Sequence, residues 1–155
     1  MDKSSRFNKN ITIENRRARF DYEVIDTFEA GLVLSGSEVK SVREGKASLA
    51  GAFVVPNGNE LVLQGMHITP YENTRGENLD PIRDRKLLLH RRQMIRLIGG
   101  RATKGYAIIP LKLFFNDRGY AKILIGLCRG KKQYDKRETI KARDNEREMR
   151  REHAA

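Results

Sequence analysis

Between residues 22 and 34 the apolar side chains fall on even positions, Tyr22, Val24, Phe28, Ala30, Leu32 and Leu34, with Asp26 the one exception. A period of two over that length predicts a long β-strand buried on one face. Gly31 within it is expected to mark a bend or bulge. Next, Ser35-Gly36-Ser37-Glu38 fits the Ser-x-x-Glu capping box ahead of Val39 and Val42, with Gly45 as a stop, and predicts a short helix. Residues 52–55 and 60–63 flank Pro56-Asn57-Gly58-Asn59, where an Asn-Gly pair between β-branched and apolar runs predicts a hairpin. A further short strand, 66–69, ends at Pro70.

Residues 71–85 have no apolar period and read as a long polar loop. After it, Leu87, Leu88, Met94, Ile95 and Ile98 keep a three-to-four spacing from Asp84 to Gly99-Gly100, which predicts a helix that ends at the paired glycines. On that wheel Leu89 shares a side with Arg92, Gln93 and Arg96. The last unit is a hairpin, 106–115 and 120–128, turning at Asn116-Asp117-Arg118-Gly119. Ala121, Ile123, Ile125 and Leu127 share one face of its return strand, and Lys122 and Leu124 the other.

Residues 129–155 hold ten Lys or Arg and six Asp or Glu, with Tyr134, Ile140 and Met149 the only large apolar side chains, so they build no core. The expected organisation is a flexible N-terminus over 1–10, one domain over 11–130 and a tail over 131–155 that is disordered or conditionally helical. Five or six antiparallel strands interrupted by helices predict a mainly β (α+β) fold. Its expected form is a small closed antiparallel β-barrel, OB-fold-like, with flanking helices.

Charge narrows the partner. Thirty-one Lys and Arg stand against 20 Asp and Glu in 155 residues, a formal net charge of +11. Such an excess points to a polyanion. No amphipathic helix with a large apolar face directs it to a membrane surface. No segment reaches the roughly 18 apolar residues of a membrane span, and residues 1–10 lack the apolar stretch of a signal peptide. With Cys128 the single cysteine there is no internal disulfide; a cytoplasmic setting and a buried thiol are the expectation.

Catalytic chemistry is sparse. His67, His90 and His153 are scattered and suit no metal site, and His67 reads as a satisfied structural histidine. No Gly-x-Ser-x-Gly occurs, and Gly126-Leu127-Cys128-Arg129-Gly130-Lys131-Lys132 has one residue too few between its glycines for a phosphate-binding loop. The chain is therefore read as a binding protein, not an enzyme, and without a cofactor. Its basic residues gather as Arg16, Arg17 and Arg19; Arg83, Arg85 and Lys86; Arg91, Arg92 and Arg96; and Arg129, Lys131 and Lys132. Leu89 amid cations, and Tyr71, Tyr106, Tyr120 and Tyr134 near strand or loop ends, offer surfaces for bases and ribose, which favours folded RNA. Glu29 either accepts hydrogen bonds from such a ligand or braces an arginine.

Several ordered motifs resemble one family. They are Asn15-Arg16-Arg17-Ala18-Arg19, Phe28-Glu29-Ala30-Gly31, Ser37-Glu38-Val39-Lys40-Ser41, His67-Ile68-Thr69-Pro70-Tyr71, Asp80-Pro81, Arg85-Lys86-Leu87-Leu88-Leu89, Pro110-Leu111, Ile125-Gly126-Leu127, and Gly130-Lys131-Lys132 with Asp135-Lys136-Arg137. From about Asn15 to Arg143 the chain resembles the SmpB, or SsrA-binding protein, family of bacterial trans-translation.

The resemblance implies a monomeric OB-like protein that binds the tRNA-like domain of transfer-messenger RNA (tmRNA, the SsrA RNA). Delivery to stalled ribosomes is then implied, with elongation factor Tu and GTP acting through the RNA complex and alanyl-tRNA synthetase acting indirectly. It places Asn15, Arg16, Glu29, Leu88 and Lys122 on the RNA, and the basic clusters add Arg17, Arg19, Arg85, Lys86, Arg129, Lys131 and Lys132 as RNA candidates. It places Gly130, Lys131, Lys132, Tyr134, Asp135, Lys136 and Arg137 in the decoding centre and mRNA channel, against 16S rRNA. Some relatives carry His where this chain has Tyr134, and the family's leucine is Leu88 where the helical wheel favours Leu89. A ribosomal protein or general translation factor that binds rRNA is the alternative reading of the same charge and fold.

Overall fold

A computed structural model describes residues 11–71 and 79–131. In chain order the elements are β1 (Thr12–Glu14), α1 (Arg16–Asp21), β2 (Tyr22–Leu32), α2 (Gly36–Arg43), β3 (Ala47–Ser48), β4 (Phe53–Asn57), β5 (Glu60–Gln64), β6 (His67–Ile68), β7 (Arg85–Leu88), α3 (Arg91–Lys104), β8 (Ala107–Phe115) and β9 (Ala121–Gly130). The molecule is thus mostly β-sheet with three helices. β3 and β6 pair as a small ribbon, and the other seven strands form one antiparallel sheet in the order β1-β8-β4-β5-β7-β2-β9. Because β8 also pairs with β9 from Ala107 to Phe115, the ladders run in a ring from β8 through β4, β5, β7, β2 and β9 back to β8. A single bridge, Val54 opposite Ile108, joins β4 to β8.

The main core collects the inward residues of this ring, among them Ala30, Leu32, Leu61, Leu63, Leu87, Ile108, Leu113, Ile123 and Ile125, with Leu97 of α3 and Val42 of α2. Each buried Leu or Ile contributes about 1.5 to 3 kcal/mol. The expected capping box is present: Glu38 N donates to Ser35 Oγ (3.2 Å) and Ser35 N donates to Glu38 Oε1 (3.0 Å). Gly45 then leaves α2 at φ +77°. In the first hairpin Pro56 and Asn57 stay in strand pairing, and only Gly58 and Asn59 turn, with Gly58 at φ +63°.

Three expectations change. Gly31 pairs regularly with Leu88 and Lys122; the bulge lies at Ile25, since Val24 opposes Cys128 while Asp26 opposes Leu127. An extra residue turns the strand over. Tyr22 and Val24 pack into a second, outer core, whereas Phe28, Ala30 and Leu32 enter the main one. The even-position pattern runs straight through this change of face.

Residues 85–88 are a strand, not the start of a helix. They alternate buried and exposed, and pair with β5 and β2. The helix begins at Arg91 and continues through Gly99 and Gly100 to Lys104. A Cβ on Gly100 would stand 2.7 Å from Leu127 Cδ2, so the glycine lets α3 lie close on β9 and does not stop it; Gly105 does, at φ +65°. His67 is exposed in β6, paired with Ser48 of β3. The short β1 and α1 carry too little pattern to have been predicted.

Candidate nucleic-acid interface

Strand register assembles an outward surface from residues far apart in sequence. Directly paired residues share a face. One row runs Glu14, Lys112, Leu124, Glu29 across β1, β8, β9 and β2. The adjacent row runs Thr12, Phe114, Lys122, Gly31, Leu88 and reaches β7. At the usual strand spacing five strands span about 19 Å. Leu88 is 55% exposed on this face. Glu29 is exposed, and among the described residues no cation pairs with it, so its carboxylate is an open acceptor. Lys112 lies 5.6 Å over the Phe114 ring.

Helix α1 extends this surface. Asn15 is its cap: its Oδ1 accepts from Ala18 N (3.3 Å), its Nδ2 donates to Pro110 O (2.9 Å) and its own N donates to Leu111 O (2.8 Å). Asn15 is buried and its amide is engaged inside the protein, so it holds α1 on β8. Arg16 and Arg19 are thereby exposed at a hollow of about 220 Å³ that they share with Glu14, Leu111 and Lys112. Arg17 pairs with Asp21 (3.3 Å) and lies 5.6 Å over the Phe20 ring. Beneath α1, Ala18, Ile109, Leu111 and Cys128 form the second core, and burial pushes the Cys128 thiol up to about 11. A Cβ on Gly126 would lie 3.0 Å from Cys128 Sγ and 3.1 Å from Leu111 Cδ1, so this small core is closely filled.

The cluster Arg83, Arg85 and Lys86 is not a cationic patch. Arg85 is buried, its Nε donating to Glu38 Oε2 (2.8 Å), its Nη1 to Met66 O (2.7 Å) and its Nη2 to Pro81 O (3.1 Å). Arg83 binds the same carboxylate through Nε and Nη2. Burial opposes ionisation of Glu38, but the donors Arg83, Ser35 N–H and Arg85 outweigh it and hold the carboxyl below its ordinary value. Arg85 is therefore a structural cation, a correction to its place among RNA ligands. Lys86 is exposed and pairs with Glu60 (2.8 Å).

Of the remaining candidates, Leu89 packs against the main core while Leu88 points outward. Arg129 pairs with Glu23, and Arg96 with Asp26 (2.7 Å). The bulge at Ile25 also puts Glu23 and Glu29 on opposite faces despite their equal parity. Gly130 ends β9 opposite Tyr22, and Lys131 N donates to Asp21 O (3.0 Å). Lys132, Tyr134, Asp135, Lys136 and Arg137, and the expected tail helix, lie outside the described residues. Pattern reading missed Lys112, Phe114 and Gly31; the register of the last hairpin, in which Phe114 faces Lys122, was the signal for the first two. No described helix is long and apolar enough to cross a membrane. Among the described residues no three His, Cys, Asp or Glu are placed to hold a metal ion.

Comparison with known proteins bears on what this surface meets. A family model described as SmpB protein matches residues 12–155. The SsrA-binding protein of Chlorobaculum tepidum is 53% identical over 137 residues, 88% of this chain and 87% of that protein. That of Thermus thermophilus is 53% identical over 125 residues, covering 81% and 87%. A solved chain from a study of tmRNA-SmpB and the centre of the bacterial ribosome superposes with a TM-score of 0.67 at 48% identity, covering 83% of this chain and 94% of that one.

Proposed function

The chain belongs to the SmpB family, and on that premise we propose that it is an SsrA-binding protein that binds tmRNA and serves with it in trans-translation, the rescue of stalled ribosomes. The observation that carries this reading is the five-strand outward face, where Lys112 and Lys122 as donors, Glu29 as an acceptor and Leu88 as an apolar step lie in two adjacent rows. A surface built only for phosphate would not carry a carboxylate and a leucine. One that meets ribose hydroxyls and base edges needs donors, acceptors and apolar contact together. Arg16 and Arg19 flank it and supply the phosphate contacts that set orientation.

The ring of strands acts as an OB-like barrel that displays this face. The protein performs no chemical step: it fixes the RNA, and ribosome entry with elongation factor Tu and GTP follows from the RNA complex. Residues 131–155 form the second functional unit, with Lys131, Lys132, Tyr134, Asp135, Lys136 and Arg137 acting in the decoding centre and mRNA channel.

Recovery of the RNA that copurifies with the full chain tests the assignment. One dominant species chargeable with alanine is expected, and bulk rRNA instead would favour a ribosomal protein. Truncation after Gly130 is expected to leave thermal unfolding and tmRNA affinity nearly unchanged while abolishing tagging of stalled chains. Full tagging by the truncated protein would refute the two-part division.

A further inference from the structure

We propose that Gly31 is a positioning residue for the RNA-facing surface, its missing side chain forming a notch that holds Leu88 against the sheet. The inference rests on the reading of that face as the tmRNA site. Gly31 lies on β2 between Leu88 of β7 and Lys122 of β9, paired with both. Its backbone does not require glycine, because it is not among the residues with positive φ and its pairing is regular. What requires glycine is clearance on the outer side. A Cβ at position 31 would stand 3.2 Å from Leu88 Cβ, 3.5 Å from Cδ1 and 3.7 Å from Cγ. A contact of 3.2 Å is tighter than a packed methyl accepts, so Leu88 would have to move outward.

The leucine thus leans over the bare backbone of Gly31, with Lys122 on the other side of β2 and the Glu29 carboxylate two residues along β2 from Gly31. It presents a low apolar step with a donor two strands away, about 10 Å across β2, and an acceptor on the diagonal between them. This arrangement suits the sugar and base edge of a nucleotide, the apolar face packing on Leu88 while Lys122 and Glu29 meet polar atoms. A side chain at 31 would raise the step and separate the three groups. Gly31 touches no ligand atom in this account; it sets where Leu88 stands.

The test is a double-mutant cycle on the full chain with purified tmRNA. The closest contact is to Leu88 Cβ, so β7 must give by a few tenths of an ångström, but glycine within a strand is itself unfavourable, so Gly31→Ala is expected to change Tm by no more than a few degrees. It should weaken tmRNA binding by about three- to tenfold. Leu88→Ala keeps the Cβ but removes the Cγ and Cδ atoms whose position the notch sets, so adding Gly31→Ala there should change affinity by less than about twofold. The Leu88 methyl resonances should move in Gly31→Ala while those of Leu61 and Leu63 stay in place.

Additive losses, an unchanged affinity in Gly31→Ala, or a Tm lowered by more than a few degrees would overturn the positioning role. If Leu88→Ala alone leaves affinity unchanged, the reading of the outer face as the RNA site fails instead. The two failures are therefore separable.

Discussion

Strand β7 joins two regions built to opposite rules. On its inner side Arg85 is buried with Glu38, two carbonyls and Arg83 around it; on its outer side, three residues on, Leu88 is 55% exposed. A hydrophobic ranking would exchange the two. The charge is tolerable inside because every nitrogen of the guanidinium has a fixed acceptor, and it ties β7, α2, the β5–β6 connection and the residues at Pro81 together. On the proposed reading the leucine stays outside because the RNA covers it. The contrast separates what holds this protein together from what it holds.

The largest expected effect comes from breaking the inner region. Arg85→Met leaves the buried Glu38 carboxylate to Arg83 and Ser35 N and takes the guanidinium donor from Met66 O, a loss of about 3 kcal/mol or more, which lowers Tm by roughly 10 °C in calorimetry. Leu88→Ala, by contrast, is expected to change Tm by less than about 2 °C. A similar Tm drop for both would erase the distinction.

Acid separates the regions further. The folded pKa of Glu38 lies below its ordinary 4.5, so the stability it contributes is complete above that value and is lost as pH falls through the lower folded one. Urea midpoints from pH 7 to pH 3 should therefore fall below about pH 4.5 in the native protein. Glu38→Gln should start lower and fall less steeply over the same range. A parallel pair of curves would deny Glu38 that role.

These residues also show how much the sequence displayed and why the rest was hidden. Period and capping chemistry made α2 and both hairpins legible, because Ser35, Glu38, Gly45 and the alternation over 121–127 act locally. The pattern failed where residues serve distant partners. Arg85 looked like a surface cation because its acceptors, Glu38 and the carbonyls of Met66 and Pro81, are brought to it only by the fold. Gly100 looked like a helix stop because its reason, Leu127, is on another strand. Leu89 looked exposed on a helical wheel that does not exist there. Leu88 and Lys122 are singled out only by the family resemblance, Glu29 by its own chemistry as well, and only register shows that the three share one face.

The smallest effect is expected beneath α1, where the outer side of β2, β8 and β9 is covered and not open. Cys128→Ala should cost about 1 kcal/mol and leave tmRNA affinity within about twofold. With its thiol raised to about 11, native Cys128 should resist iodoacetamide at neutral pH and react once the chain is unfolded in urea. Rapid alkylation of the native protein would mean that the covered end is open too.

The central claim, that tmRNA sits on the open outer face, is tested most directly by two equally exposed apolar residues. Leu88 is 55% exposed on β7 and Ile95 61% exposed on α3. Equilibrium binding of full-length tmRNA should weaken by about tenfold or more in Leu88→Asp and by less than about twofold in Ile95→Asp. Equal losses in the two variants, or a loss confined to Ile95→Asp, would contradict it.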